Sequence, residues 1–265
     1  KLKEARDEGR TILAPFLTIG FPSIPISSKV ITSVIEAGSD MLELGIAFSD
    51  PLADGPTIQK TSFAALKNGV TVHTALEVVR KLREQGTKAP FIYMGYYNPF
   101  LRYGTTAFAR DAITAGADGV IVPDLPTEEA GPFKSVCESH GLYLIPLLAP
   151  TSTDKRIKQA CLNAKGFIYC VSLTGVTGAG RRLRSDLKTF VGRIRKHTNL
   201  PIVVGFGVSN RQDVEEIGRI ADGAVVGSAL LDAVGKAATK DIPKVARNFI
   251  KSLIPSERIN YKYKD

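Results

Sequence analysis

Residues 41–59 read MLELGIAFSDPLADGPTIQ, an apolar strand with one acid inside it that runs directly into a loop broken by Pro51, Gly55 and Pro56. Side chains alternate along Met41 to Ile46, so Leu42, Leu44 and Ile46 share one face while Met41, Glu43 and Gly45 share the other. Glu43 therefore points into whatever that second face encloses. Gly45 is expected to leave open volume beside it, and Asp54 follows in a loop able to fold back over the strand's end. The turn formers Asp50-Pro51 and Asp54-Gly55-Pro56 mark a shaped loop after a strand, where functional residues concentrate. Two carboxylates would then face one small ligand. The plainer alternative is that Glu43 pairs with a buried Arg or Lys and Asp54 merely opens a turn.

Outward from this stretch, short β-branched or apolar runs alternate with amphipathic segments along the whole chain. Eight strands are expected at Leu13–Ile19, Met41–Ile46, Phe91–Gly95, Gly119–Val122, Tyr143–Leu148, Phe167–Ser172, Ile202–Phe206 and Gly223–Val226. Helices are expected at Ile26–Ala37, Val72–Gln85, Thr106–Ala115, Pro132–His140, Asp154–Asn163, Ser185–Thr198, Asn210–Arg219 and Ser228–Val234. Further helices near Ala5, at Ile58–Lys67 and at Ile242–Leu253 would decorate this frame. Three joins repeat one idiom, a helix ending at a small residue with an acid before the next strand: Asp40, Asp118 and Asp222 are those acids. The fold class this predicts is α/β, a single (β/α)8 TIM barrel domain over residues 1–265 with additional short helices, its site on the loops after the strands. An open doubly wound sheet would want a dinucleotide loop after the first strand, and Thr18-Ile19-Gly20-Phe21-Pro22 holds no G-x-G-x-x-G.

Composition bounds the function. With 265 residues, 44% hydrophobic content and mean hydropathy of +0.03, the chain reads as an ordinary globular protein. No apolar run approaches the ~20 residues a membrane span needs, and the charged amino end KLKEARDEGR lacks a secretory core. A cytoplasmic location is the expectation, with an organellar one after transit-peptide removal left open. Cys137, Cys161 and Cys170 have no C-x-x-C spacing, and His73, His140 and His197 are scattered, so neither a disulfide framework nor a metal site is expected. The net charge of +9 lies mostly in helix-like segments, which usually means solvated faces rather than a nucleic-acid surface.

Glycines follow the last three expected strands, in GVTGAG at 175–180, Gly205-Phe206-Gly207 and Gly227-Ser228. They could simply make turns. Barrels, however, commonly seat phosphate after strands seven and eight on bare backbone N–H groups and a helix amino terminus, which places Gly207, Gly227 and Ser228 as anion contacts. Leu173–Asp186, Gly-rich at first and then carrying Arg181, Arg182 and Arg184, is a candidate lid that includes Thr177; a solvent loop is the alternative.

Taken in order, LELGIAFSDPLADGPTIQ, VPDLPTEEA, SLTGVTGA, VGFGVS and GAVVGSA resemble the tryptophan synthase alpha subunit family across nearly the whole chain. Ala47 stands where that family usually has Pro, and Gly180 where it has a polar or charged residue. The resemblance implies cleavage of indole-3-glycerol phosphate to indole and glyceraldehyde 3-phosphate, with no cofactor. It also implies an alpha2beta2 complex with a pyridoxal-phosphate beta subunit docked near Asp50-Pro51 and Tyr96-Tyr97-Asn98-Pro99. By motif, Glu43 resembles the general acid/base, Asp54 the acid near the indole nitrogen, and Tyr169 the tyrosine near the glycerol and the carboxylate pair. Phosphate contacts would fall on Gly178, Gly207, Gly227 and Ser228, and Phe16 and Phe206 would line the pocket. Thr177 and Arg181 would belong to the lid.

A retro-aldol cleavage needs indole C3 protonated before the ring can take the bonding electrons, and one carboxylic acid must supply that proton. Glu43 is accordingly expected to have a raised pKa, and Asp54, in a polar loop, to stay ionised. Phe16, Leu52 or Met94 would wall the indole. Competing readings are a stand-alone indole-releasing lyase, a weakly active barrel serving as allosteric partner, another phosphate-binding barrel enzyme, and a polyanion-binding module motivated by charge alone. The other barrel enzymes would show a Lys at a strand end, and the strand ends here do not.

Overall fold

The computed structural model describes residues 1–171, 180–205 and 207–255, with the backbone alone for 180–185. Among them nine strands form one parallel sheet: β1 (Ile12–Thr18), β2 (Leu42–Gly45), β3 (Phe91–Met94), β4 (Gly119–Ile121), β5 (Tyr143–Leu144), β6 (Leu147–Leu148), β7 (Ile168–Val171), β8 (Ile202–Gly205) and β9 (Gly223–Val226). Their order is β5-β4-β3-β2-β1-β9-β8-β7-β6, so the two ends of the sheet are consecutive in the chain. The two residues between them close the ring. Ile145 N–H donates to Val120 O at 2.9 Å on one side, and Pro146 O accepts from Tyr169 N–H at 3.0 Å on the other.

β5 and β6 are therefore halves of one stave, and the barrel has the eight staves read from the alternation. The expected strand Tyr143–Leu148 is split because Pro146 has no N–H to give the ladder. The other strands lie within a residue or two of expectation, where helix and strand ends fray. Two helical expectations need correction. Tyr97–Tyr103 is a helix, not a loop: Pro99 sits in its first turn, where a missing N–H is harmless, and Tyr97 N–H is capped by Asp124 Oδ1 at 2.9 Å. Phe100 then anchors it against Phe108, ring centroids 4.3 Å apart. The second is Gly180–Arg195, a helix that starts within the stretch read as a lid, so the later part of that stretch is not loop.

The three acid-bearing joins turn out to be one device used three times at the amino ends of the strands. Asp40 N–H donates to Leu13 O at 3.0 Å and its Oδ2 accepts Leu13 N–H at 3.0 Å. Asp118 does the same to Phe91, both bonds 2.9 Å, and Asp222 to Ile202, at 2.9 and 2.7 Å. Each side chain thus stands in for a backbone carbonyl and pins its strand to the neighbouring one. Arginines supply the counter-charge: Arg10 to Asp40 at 3.1 Å, Arg83 to Asp118 at 2.9 Å, and Arg195 to Asp222. This rim lies opposite the strands' carboxyl ends, so it stabilises the barrel without entering the site. Asp222 is the most buried of the three, and Asp222→Ala leaves the Ile202 N–H without its side-chain acceptor and removes the counter-charge of Arg195 and Arg6. That variant should unfold about 3–5 kcal/mol more easily in urea, with ligand binding retained in the fraction still folded; a loss under 1 kcal/mol would contradict the staple.

No helix of the described residues is long and apolar enough to cross a membrane.

Candidate active site

Glu43 is fully buried inside the barrel, and neither carboxyl oxygen has a hydrogen-bond partner among the described residues. Strand parity explains the direction: Phe16 of β1 is the register partner of Glu43, and both side chains enter the barrel. Gly45 does not leave the empty volume expected. The Phe16 ring occupies it, so a Cβ on Gly45 would lie 2.6 Å from Phe16 Cζ. Burial raises the Glu43 carboxyl well above its ordinary 4.5, and the neighbouring Tyr169 hydroxyl opposes this only in part. Gly205 of β8 makes that neighbour possible, because any Cβ there would strike the Tyr169 hydroxyl. Tyr169 is itself buried, which keeps its phenol protonated and able to donate.

Asp54 reaches the same space from the loop after β2. Ala53 N–H donates to the Tyr96 hydroxyl at 2.9 Å, Gln59 Nε2 to Asp54 O at 2.8 Å, and Phe48 N–H to Ser62 Oγ at 3.0 Å. These bonds bend the loop back over the barrel mouth. Gly55 and Pro56 then start the helix Pro56–Lys67. Asp54 is less solvated than a polar loop suggests: burial pushes its carboxyl up to about 6, with Tyr96 partly offsetting the rise. It is still mostly ionised at neutral pH.

One cavity of about 360 Å³ collects these groups, lined by Phe16, Glu43, Asp54, Met94 and Tyr169 at one end and by Gly207, Gly227 and Ser228 at the other. Gly227 precedes the helix Ser228–Lys236, and Gly227, Ser228 and Ala229 line this space at the helix end whose first N–H groups have no partner within the helix. Gly207 has φ +39°, which a side chain would strain. Sequence reasoning thus places Phe16, Glu43, Asp54, Tyr169, Gly207, Gly227 and Ser228 on one cavity. Leu52 is a correction: it is 94% exposed and does not line this cavity, whereas Phe16 and Met94, also expected, do, together with Ile58. Thr177, Gly178 and Phe206 lie outside the described residues, as does the side chain of Arg181.

Thr57 and Asp232 are not singled out by the sequence, while Tyr96, expected on a docking surface, and Gly205, expected in a glycine cluster, have different parts here. Tyr96 supports the Asp54 loop and Gly205 leaves room for Tyr169, and no local motif carries that information. A separate cavity of about 210 Å³ lies outside the barrel, beside the split stave and lined by Leu144, Pro146 and Leu162. No Asp or Glu lines it, although Gly131, the first residue of the helix Gly131–Ser139, is on its wall. Among the described residues, no three His, Cys, Asp or Glu side chains gather as a metal set.

Residues 2–256 match the family model described as tryptophan synthase alpha chain. The tryptophan synthase alpha chain of Roseiflexus sp. (strain RS-1) is 49% identical over 248 residues, 94% of this chain and 95% of that one. The tryptophan synthase of Saccharomyces cerevisiae is 41% identical over 98% of this chain, which spans 37% of that longer protein. Among solved structures, the tryptophan synthase subunit alpha from Legionella pneumophila str. Paris superimposes with a TM-score of 0.88 at 35% identity, covering 95% of this chain and 94% of that one.

Proposed function

This chain belongs to the tryptophan synthase alpha chain family, and from that premise we propose that its barrel, acting as a single domain, cleaves indole-3-glycerol phosphate to indole and glyceraldehyde 3-phosphate. The observation that carries the residue roles is the convergence of Glu43, Asp54, Tyr169 and the Gly227-Ser228 helix terminus on one cavity.

The phosphate binds the N–H groups around Gly207, Gly227 and Ser228, where bare glycine backbone permits close approach and charge-assisted hydrogen bonds. Anchoring that end puts the indole between Phe16 and Met94, beneath the two acids. Glu43, kept protonated by its burial, gives its proton to indole C3. The ring nitrogen then carries positive charge, which ionised Asp54 stabilises without reorganising. Glu43, now a carboxylate, takes the proton of the glycerol hydroxyl next to C3. As that oxygen becomes the aldehyde, the C3–carbon bond breaks and its electrons return to the ring, releasing indole. Tyr169 donates to the Glu43 carboxylate during the interval in which it is charged. No cofactor is needed for this sequence of steps.

The partner in this reading is a tryptophan synthase beta subunit, in an alpha2beta2 complex within the cytoplasm. Two exposed features next to the cavity mouth suit such a surface: Leu52 on the Asp54 loop, and Leu101, 56% exposed on the helix Tyr97–Tyr103. The direct test mixes the chain with indole-3-glycerol phosphate and follows indole release, with and without a beta subunit. Release by the chain, increased by the partner, is expected. No release in either condition would refute the reading.

A further inference from the structure

Thr57 and Asp232 meet beside the cavity, with Asp232 on its wall. Thr57 lies in the first turn of the helix Pro56–Lys67, just after Asp54, and Asp232 lies one turn into the helix Ser228–Lys236, beyond the anion seat. Thr57 Oγ1 donates to Asp232 Oδ1 at 3.1 Å, and the two helices pack together. The anchors of the Asp54 loop described above, through Tyr96, Ser62 and Gln59, run towards β3 or back to the loop's own helix. The Thr57–Asp232 bond instead reaches the helix that seats the phosphate.

The charge of Asp232 makes its position informative. The described residues lining this cavity include three acids, Glu43, Asp54 and Asp232, and no Lys, Arg or His. A third carboxylate close to the seat of a phosphate dianion opposes binding by simple Coulomb repulsion. An accepted proton from Thr57 both fixes where that charge sits and uses it. We propose that the Thr57–Asp232 hydrogen bond is a positioning tie that sets the distance between the Asp54 loop and the phosphate seat. The protein thus holds the span between ring and phosphate before substrate arrives, which is where preorganisation lowers a barrier. Its catalytic consequence rests on the lyase reading above; the tie itself does not.

The test uses Thr57→Val, Asp232→Ala and their double variant, with Thr57→Ser as the conservative control. Each single variant should lower kcat for indole release about fivefold, the size of effect one hydrogen bond supports. KM should move in opposite directions, rising in Thr57→Val, which frees the Asp232 charge, and falling in Asp232→Ala, which removes it. A merely structural contact would not split them this way. The double variant should be no slower than either single one, since both break the same bond, and Thr57→Ser should recover most of the rate. Unchanged kcat in the single variants, multiplied losses in the double variant, or no recovery in Thr57→Ser would each overturn the tie. Hydrogen exchange at the amides of residues 52–55 provides a readout independent of chemistry and should quicken in both single variants while strand amides stay protected. Should the unaltered chain release no indole, the lyase reading fails, and the exchange result alone decides the tie: faster exchange upholds it, unchanged exchange overturns it.

Discussion

Glu43→Gln is expected to reduce indole release by about 10²- to 10⁴-fold, the range a positioned proton donor supplies, while KM for indole-3-glycerol phosphate stays within a few-fold. Gln matches the shape of the neutral acid and makes the same packing contacts with Phe16 and Tyr169. What it removes is the proton that C3 needs and the carboxylate that the hydroxyl then needs. The same variant should be more stable than the parent, because burial raises the Glu43 carboxyl and the neighbouring Tyr169 hydroxyl offsets that only in part. A raised carboxyl holds its proton in the folded state where the unfolded chain has lost it. Its contribution is therefore fully present below the ordinary 4.5 and lost as pH rises through the folded value. Gln does not titrate, so the gap in Tm between variant and parent should be near zero at pH 4 and widen towards pH 8. Turnover within tenfold of the parent would remove Glu43 from the chemistry. A variant less stable than the parent at pH 8 would mean that the Tyr169 hydroxyl stabilises the buried carboxylate by more than burial costs it.

Opposed demands of this kind are legible in sequence when they break a local pattern. Glu43 stands out because an acid inside an otherwise apolar strand is costly unless it has a task, and the barrel follows from a period repeated eight times. The Asp40, Asp118 and Asp222 joins are visible as an idiom, but their purpose required the register that brings each carboxylate to an N–H at the start of a neighbouring strand. Closure was written locally as a proline in a strand, yet only three-dimensional pairing shows Ile145 and Pro146 bonding to opposite sides. The helix Tyr97–Tyr103 was missed because Asn98-Pro99 is a turn signal, and its cap, Asp124, comes from a distant loop. Asp54 lines the same cavity as Glu43, but it is less solvated than its polar loop suggests. Which side chains cover a loop is decided by Tyr96 and the helix after it, and neither is encoded near Asp54.

That burial has a measurable consequence at Asp54. Asp54→Asn keeps the size and one acceptor oxygen of the side chain while deleting its charge, so it isolates the electrostatic part of the role. Release of indole should fall about 10²- to 10³-fold, comparable to losing one preorganised stabilising group. In the unaltered chain the charged form is the working one, and its carboxyl sits at about 6. Activity should therefore rise with pH through that value: at pH 5 about one Asp54 in ten is ionised, at pH 7 about nine in ten. Glu43 does not confound this limb, since lowering pH only fills its proton site. The substrate phosphate does, because its second ionisation also lies near 6 and governs binding at the Gly227-Ser228 seat. Measuring kcat at saturating substrate separates the two, because it reports groups in the complex and not the capture of free dianion. In kcat the limb should be present in the parent, displaced upward as the bound ring further dries the carboxyl, and absent in Asp54→Asn between pH 5 and 7. A limb retained in the variant would assign it to another group, and a variant with more than a tenth of the parent's kcat would leave the ring nitrogen's charge to be stabilised elsewhere.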